Sequence, residues 1–362
     1  MATIEELRFW CFGGAAPAPG GSELPDAEMF RAMAYRFEPD KHPEMRDDYR
    51  SASMRDLPLT LELQRIKKIF REAEVRFAPI KGADLAYSCY PDPALRSRCD
   101  IDLLVHPDDI DRAVAAATDD GWRTPHQYRS EHHAPSMYKK HAMLELHFTL
   151  PDFPPDAIPR IWELLRQEEG STEFRLPPEL SLAVACQHAR KHRWINGAAL
   201  IADYAFLLKA HPGFDWDRAR ARAREFEVAD PSLICFALPE LFPAEAMPQG
   251  PPPPPEVAKA LRDALLAAVN LQVHRDSAVM NSPDRFGRDW WRGRFAGFRP
   301  EAVRFRYHLP DSAGTLRMFR AYCRMAVDKS VLVWNGIFRS DPAVSTALRR
   351  VEIIEKYLGK SR

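Results

Sequence analysis

Three acidic side chains, set in two apolar stretches, carry the chemistry available to this sequence. Asp100 and Asp102 flank Ile101 at the head of an apolar run, and Glu145 stands in Leu144-Glu145-Leu146-His147. Alternate side chains of a strand face the same way, so Asp100 and Asp102 share one side and Glu145 and His147 share another. Like charges so close raise each other's energy unless a cation lies between them. A hard divalent ion such as Mg²⁺ takes carboxylate oxygens and fills its other positions with water and substrate phosphate. Two carboxylates bridging a pair of such ions, with a third on the ion beside an attacking hydroxyl, stabilise in-line displacement at phosphorus. The spacing points to a metal–nucleotide complex, with Asp100, Asp102 and Glu145 as candidate catalytic and metal-binding residues.

Groups suited to phosphate stand nearby. Lys81-Gly82 follows the apolar strand 77–80. Glycine there lets the backbone approach a phosphate, and the helix start behind it offers free N–H groups. Lys81 or Arg96 can meet the remaining charge, arginine in bidentate fashion. Arg98, His147 and Lys191 complete the candidate nucleotide-binding set. Plainer readings stay open for several of these. Arg96 can form an ion pair with Asp92 or Asp100, and His147 can be a hydrogen-bonded histidine of the pocket wall. His188, Lys191 and His192 share a helix face and can be either a nucleotide-contacting cluster or a polar seam against Asp203. His126, His132, His133 and His141 are read as loop histidines.

Positioning these groups requires an α+β core. Residues 56–73 read as an amphipathic helix opened by Asp56 and Pro58, with 40–50 as charged loop. A strand 77–80, a helix 83–89, a strand 100–105 and a helix 107–119 follow. Strands are expected at 122–128, 136–141 and 143–150. The pattern predicts a small mixed sheet flanked by helices, followed by a helical C-terminal half. Helices at 180–191, 198–209, from 215 and at 256–274 fill that half. The expected units are a partly helical segment 1–55, a core 56–155, a helical domain 156–247, a proline-rich linker 248–255 and a basic helical region 256–362.

Composition narrows the partners. The chain has 362 residues, and its 51 Lys+Arg balance 51 Asp+Glu, so bulk charge favours neither nucleic acid nor an anionic membrane. The region from Asp284 is locally basic and interleaved with aromatics (Trp290, Trp291, Phe295, Phe298, Phe305, Tyr307), a pattern that can grip an acidic partner or cover a helical core. The six cysteines form no CxxC pair, and a reducing cytoplasm is expected. The first residues lack the pattern of a secretory signal, and no stretch is long and apolar enough to suggest a membrane span.

The run PIKGADLAYSCYPDPALRSRCDIDLLVHPDDIDRAVAAATDDGW (79–122), with ELH at 145–147, resembles the nucleotidyltransferase superfamily that includes the catalytic core of DNA polymerase β. Within it the run is similar to the branch of uncharacterised bacterial nucleotidyltransferases, as are residues 182–194 and Asp203. The resemblance spans about 57–225. It implies that Asp100, Asp102 and Glu145 bind Mg²⁺, two ions in the full site, together with an NTP, ATP foremost. It implies transfer of a nucleoside monophosphate to an acceptor with release of pyrophosphate. The branch's association with biosynthesis suggests a small molecule or modified peptide as acceptor, with a protein target also open. Two departures stand out: Ala83 where the superfamily often has serine, and Glu145 where it often has aspartate. The first motivates an alternative, a nucleotide- or peptide-binding protein without turnover. The basic tail motivates another, a nucleic-acid-modifying transferase.

Overall fold

The computed structural model describes residues 3–14, 24, 28–124, 134–140, 142–150, 153–194 and 197–267. Beyond these it describes 300, 303–304, 309, 313–338 and 342–360. Its strands are β1 (Phe77–Pro79), β2 (Ile101–Val105), β3 (Met137–Lys139), β4 (Ala142–His147), β5 (Arg166–Gln167) and β6 (Phe174–Arg175). The helices are α1 (Ile4–Phe12), α2 (Glu28–Phe37), α3 (Arg46–Glu72), α4 (Gly82–Ser88), α5 (Ile110–Asp119), α6 (Ala157–Leu164) and α7 (Pro178–Lys191). They continue with α8 (Gly197–Ala210), α9 (Trp216–Glu225), α10 (Ser232–Ala237), α11 (Pro255–Leu265), α12 (Thr315–Phe338) and α13 (Pro342–Lys360).

The four longer strands form a mixed sheet in the order β1-β2-β4-β3, with β2 and β4 parallel and the outer pairs antiparallel. Period-two alternation decides what each face does. Ile101, Leu103 and Val105 of β2, with Leu144 and Leu146 of β4, turn toward Leu59, Leu63, Ile66 and Phe70 of α3 and Ala113 and Ala117 of α5. Leu104 faces the other way, into a second cluster with Ile158 and Ile161 of α6 and Leu180 and Val184 of α7. Asp102 shares that second face, so a charged residue lies in a strand that is buried along its whole length. The expected architecture, a small mixed sheet flanked by helices and followed by a helical half, is the one observed.

The local elements depart from the sequence reading in instructive places. The helix expected to open at Asp56 runs from Arg46 through Pro58 without a break, and 46–50, expected as loop, is helical. A proline inside a helix removes one backbone hydrogen bond. Tertiary contacts hold the first half in place: Ala52 is buried, and Arg31–Asp48 (3.0 Å) and Arg55–Glu28 (2.7 Å) tie it to α2. Asp56 therefore caps nothing and is free to receive Arg98. Strand β2 begins one residue after Asp100. Of the strand expected at 122–128, the described part contributes only the bridge Arg123–Tyr138; residues 125–133, with His126, His132 and His133, lie outside the described residues, as does His141. The expected helical domain holds a short hairpin, β5–β6, whose Glu173 bridges to Phe77 of β1. Residues 268–299, with Trp290, Trp291, Phe295 and Phe298, also lie outside the described residues, as do Phe305 and Tyr307. Among the described residues no helix is long and apolar enough to cross a membrane.

The helical half closes on itself at Gly197, the first residue of α8. A Cβ built there would stand 2.1 Å from the carbonyl oxygen of Leu265 at the end of α11. Alanine is ordinarily the better helix former, but here the obstacle is backbone. Gly197→Ala is expected to destabilise the fold by about 1–3 kcal/mol, measured by urea unfolding, against the gain that helix propensity alone would give.

Candidate metal and nucleotide site

Parallel pairing of β2 with β4 aligns Asp102 with Glu145 and Leu104 with His147. Asp102 and Glu145 are thus brought side by side by register, and His147 follows on the same face of β4. The ring nitrogen Nε2 of His147 lies 2.7 Å from Asp102 Oδ1 and 3.6 Å from Glu145 Oε2. The Ser136 hydroxyl donates to Glu145 Oε1 at 3.2 Å. One donor atom from each of Asp102, Glu145 and His147 falls within 4.8 Å of the others, a spacing that can hold a metal ion.

Lys81 reaches the same point from β1. The turn from Ile80 to Ala83 closes with the Ala83 N–H donating to the Ile80 carbonyl at 3.1 Å. Lys81 occupies its first central position with φ 52° and ψ −128°. That is the glycine-favouring position of a type II′ turn, and a lysine there carries strain of roughly 1–3 kcal/mol. The conformation aims Lys81 Nζ at Asp102 Oδ1, 2.8 Å away. Gly82 starts α4 and packs against Arg98, whose Cβ would lie 3.4 Å from a side chain placed there.

The electrostatics follow from this crowding. Burial alone would raise the Asp102 carboxyl, but the Lys81 ammonium and the His147 ring outweigh it and hold it below the usual carboxylate range. Burial would likewise lower Lys81, yet Asp102 keeps its ammonium above the ordinary value. His147 is raised too, its hydrogen bonds to Asp102 and Glu145 overcoming burial. Asp100, just outside β2, is pushed up to about 6 by burial and then by the charge on Asp102. The cluster thus sets the carboxylates of Asp100, Asp102 and Glu145 against the Lys81 ammonium and one histidine.

The other candidate residues are placed differently. Arg96 makes a bidentate pair with Asp203 of α8, Nε to Oδ1 at 2.6 Å and Nη2 to Oδ2 at 3.0 Å, and Tyr90 donates to the same carboxylate at 2.7 Å. Arg98 is turned to α3, where it donates to Asp56 (2.7 Å) and Thr60 (3.0 Å). Lys191 is exposed at the end of α7. One turn earlier, burial, then the Lys81 charge, push the His188 imidazole down to about 3. The i, i+4 spacing of His188 and His192 sets their rings against each other, centroids 4.5 Å apart. Asp84 of α4, half-buried, was not singled out in the sequence. Its carboxylate accepts from the Ser181 hydroxyl of α7 at 3.2 Å, and burial pushes it up to about 6. Nothing in its surroundings in the sequence signals this, because its cover comes from residues about a hundred positions away.

The family model described as uncharacterised nucleotidyltransferase matches residues 33–243. No curated protein and no solved structure matches the chain.

Asp84 sets a pH dependence. Its folded value of about 6 lies above the ordinary 3.8, so the folded state binds the proton more tightly than the unfolded chain does. Stability from this group falls as pH rises from about 4 to 6. Asp84→Asn is expected to be more stable than wild type by about 1–3 kcal/mol at pH 7 and equal to it near pH 3, read by urea unfolding at both values.

Proposed function

The chain belongs to the uncharacterised nucleotidyltransferase family, and from that premise we propose that it moves a nucleoside monophosphate, AMP from ATP foremost, onto a hydroxyl or phosphate acceptor. The acceptor class is a small molecule, a peptide or a protein, and the reaction depends on Mg²⁺. The observation that carries this reading is the register that sets Asp102 against Glu145 beside His147 and Lys81.

The donor set fits a divalent cation. Asp102 and Glu145 offer oxygens within reach of one another and of His147 Nε2, while Asp100, a third carboxylate just before β2, lies outside that group of donors. The His147 nitrogen makes Mn²⁺ an equally suitable occupant. When bound, such an ion supplies charge neutralisation at the phosphates and lowers the cost of forming the acceptor alkoxide. The chain's own groups do the rest. Asp102 and Glu145 hold the ion, with Asp100 completing the carboxylate set. His147 Nε2, within reach of both carboxylates, would be a third ligand, and Lys81 Nζ, now on Asp102, would compete with the ion for that carboxylate. Lys81, released from Asp102, lies at the strand end from which it can meet the triphosphate, and Gly82 keeps the backbone there uncluttered. Arg96 and Arg98, engaged by Asp203 and Asp56, serve this site by fixing the segment that leads into Asp100. All six cysteines are free, in keeping with a cytoplasmic enzyme.

Pyrophosphate release from ATP and Mg²⁺, followed with a panel of hydroxyl- and phosphate-bearing acceptors, tests the proposal. Wild type is expected to turn over with at least one acceptor, and Asp102→Asn to lose about a hundredfold or more. Equal ATP·Mg²⁺ affinity in wild type and Asp102→Asn, with no pyrophosphate from either, would leave the non-catalytic reading in its place.

A further inference from the structure

Strand β3 completes a row of side chains across the sheet. Its antiparallel register with β4 pairs Met137 with Leu144, and one residue further back Ser136 falls opposite Glu145. The parallel register of β4 with β2 sets Glu145 beside Asp102. Directly paired residues project to the same face of a sheet. Ser136, Glu145 and Asp102 therefore stand in line, on the face away from the cluster that takes Met137 and Leu144. The segment carrying Ser136 is held on both sides. The Ala134 N–H donates to the Leu146 carbonyl at 2.9 Å, and Met137 begins the paired part of β3.

Ser136 is 5% exposed, and a hydroxyl withdrawn from water needs a partner. It finds Glu145, donating to Oε1 at 3.2 Å. The two oxygens of Glu145 are thereby told apart. Oε1 is turned to Ser136, while Oε2 lies 3.6 Å from His147 Nε2, among the donors that can hold an ion. The Glu145 side chain is 20% exposed against 2% for His147, so burial confines it less, and a neighbour can set its orientation. That orientation decides which ion fits. A carboxylate with one oxygen engaged elsewhere offers a single oxygen, which suits a compact octahedral ion such as Mg²⁺ or Mn²⁺. With both oxygens available it can bind through two, a mode that Ca²⁺, larger and flexible in geometry, accepts.

We propose that Ser136 is a positioning residue that sets the metal selectivity of the site. By holding Glu145 Oε1 it presents Oε2 to the ion, and so favours Mg²⁺ or Mn²⁺ over Ca²⁺. The proposal rests on the metal reading above and adds a residue that itself touches neither metal nor nucleotide. Its effect passes through Glu145. Loss of the hydroxyl removes the hold on Oε1, and the carboxylate can then offer both oxygens. A buried hydroxyl that merely satisfied itself on the nearest acceptor would have no bearing on the choice of ion.

Titration calorimetry of the full chain with Mn²⁺ and, separately, with Ca²⁺ tests this on wild type, Ser136→Ala and Ser136→Thr, the last keeping the hydroxyl. A melting curve shows that each is folded. Wild type is expected to bind Mn²⁺ more tightly than Ca²⁺. Ser136→Ala should bind Mn²⁺ about tenfold more weakly, the lower end of what losing a group that orients a ligand costs. Its Ca²⁺ affinity should hold or improve, so the preference for Mn²⁺ shrinks about tenfold. Ser136→Thr should restore that preference. An unchanged preference in Ser136→Ala overturns the proposal. So does an equal loss for both ions, which a general loosening of the site would give, or a folded Ser136→Thr that behaves as Ser136→Ala does. Should Ser136→Thr not fold, wild type and Ser136→Ala decide the matter. Wild type that binds Ca²⁺ as tightly as Mn²⁺ also overturns it while leaving the metal reading in place. Binding of neither ion by wild type strikes at the metal reading itself, and the role of Ser136 falls with it.

Discussion

A carboxylate on a strand buried along its whole length needs compensation, and the Asp102 carboxylate is where this structure supplies it. Lys81 and His147 both contact the same oxygen, at 2.8 and 2.7 Å. Removing either partner of a buried pair leaves an uncompensated charge, a loss of about 3–5 kcal/mol in comparable cases. The rest of the core can be read from this requirement. The turn at Lys81 accepts an unfavourable backbone conformation so that its ammonium reaches Asp102. The parallel β2–β4 pairing brings His147 and Glu145 to the same spot. A stabilised fold alone would be served as well by apolar residues here; the grouping of Asp102, Glu145 and His147 is instead one that can hold a metal ion.

A second buried charge joins the two halves of the matched span. Asp203 sits in the otherwise apolar helix α8, 3% exposed, and is satisfied by Arg96 and Tyr90 from the segment between α4 and β2. That segment leads directly into Asp100. Arg98, two residues on, is fixed in turn by Asp56 and Thr60 of α3. The loop entering the acidic strand is therefore clamped from both sides, by α8 through Arg96 and by α3 through Arg98. Preorganisation of this kind lets carboxylates keep their spacing against mutual repulsion, because the backbone carrying them cannot move apart.

Much of this was legible in the sequence, for a physical reason that also sets the limit. Alternation within a strand is local, so Asp102 and its apolar neighbours could be assigned to opposite faces of β2, and Glu145 and His147 to one face of β4. The fold class followed from the order of periodic segments. What the sequence did not reveal depends on partners far along the chain. Arg96 looked available for phosphate because Asp203 is more than a hundred residues away. Asp84 gave no signal, because its partner Ser181 comes from α7, about a hundred positions along the chain. The helix start expected at Asp56 and Pro58 lies ten residues too late, because ion pairs to α2 hold the first half of α3, a contact invisible to helix propensity.

The central claim is that a divalent cation, held by Asp102, Glu145 and His147, replaces Lys81 as the counter-charge of Asp102. Anomalous diffraction from crystals grown with Mn²⁺ and a non-hydrolysable ATP analogue tests it most directly. The account expects a manganese peak bonded to Asp102 and Glu145, with Lys81 Nζ withdrawn from Asp102 toward phosphate oxygens. A nucleotide bound elsewhere, with the Lys81–Asp102–His147 contacts intact and no metal between Asp102 and Glu145, would contradict it.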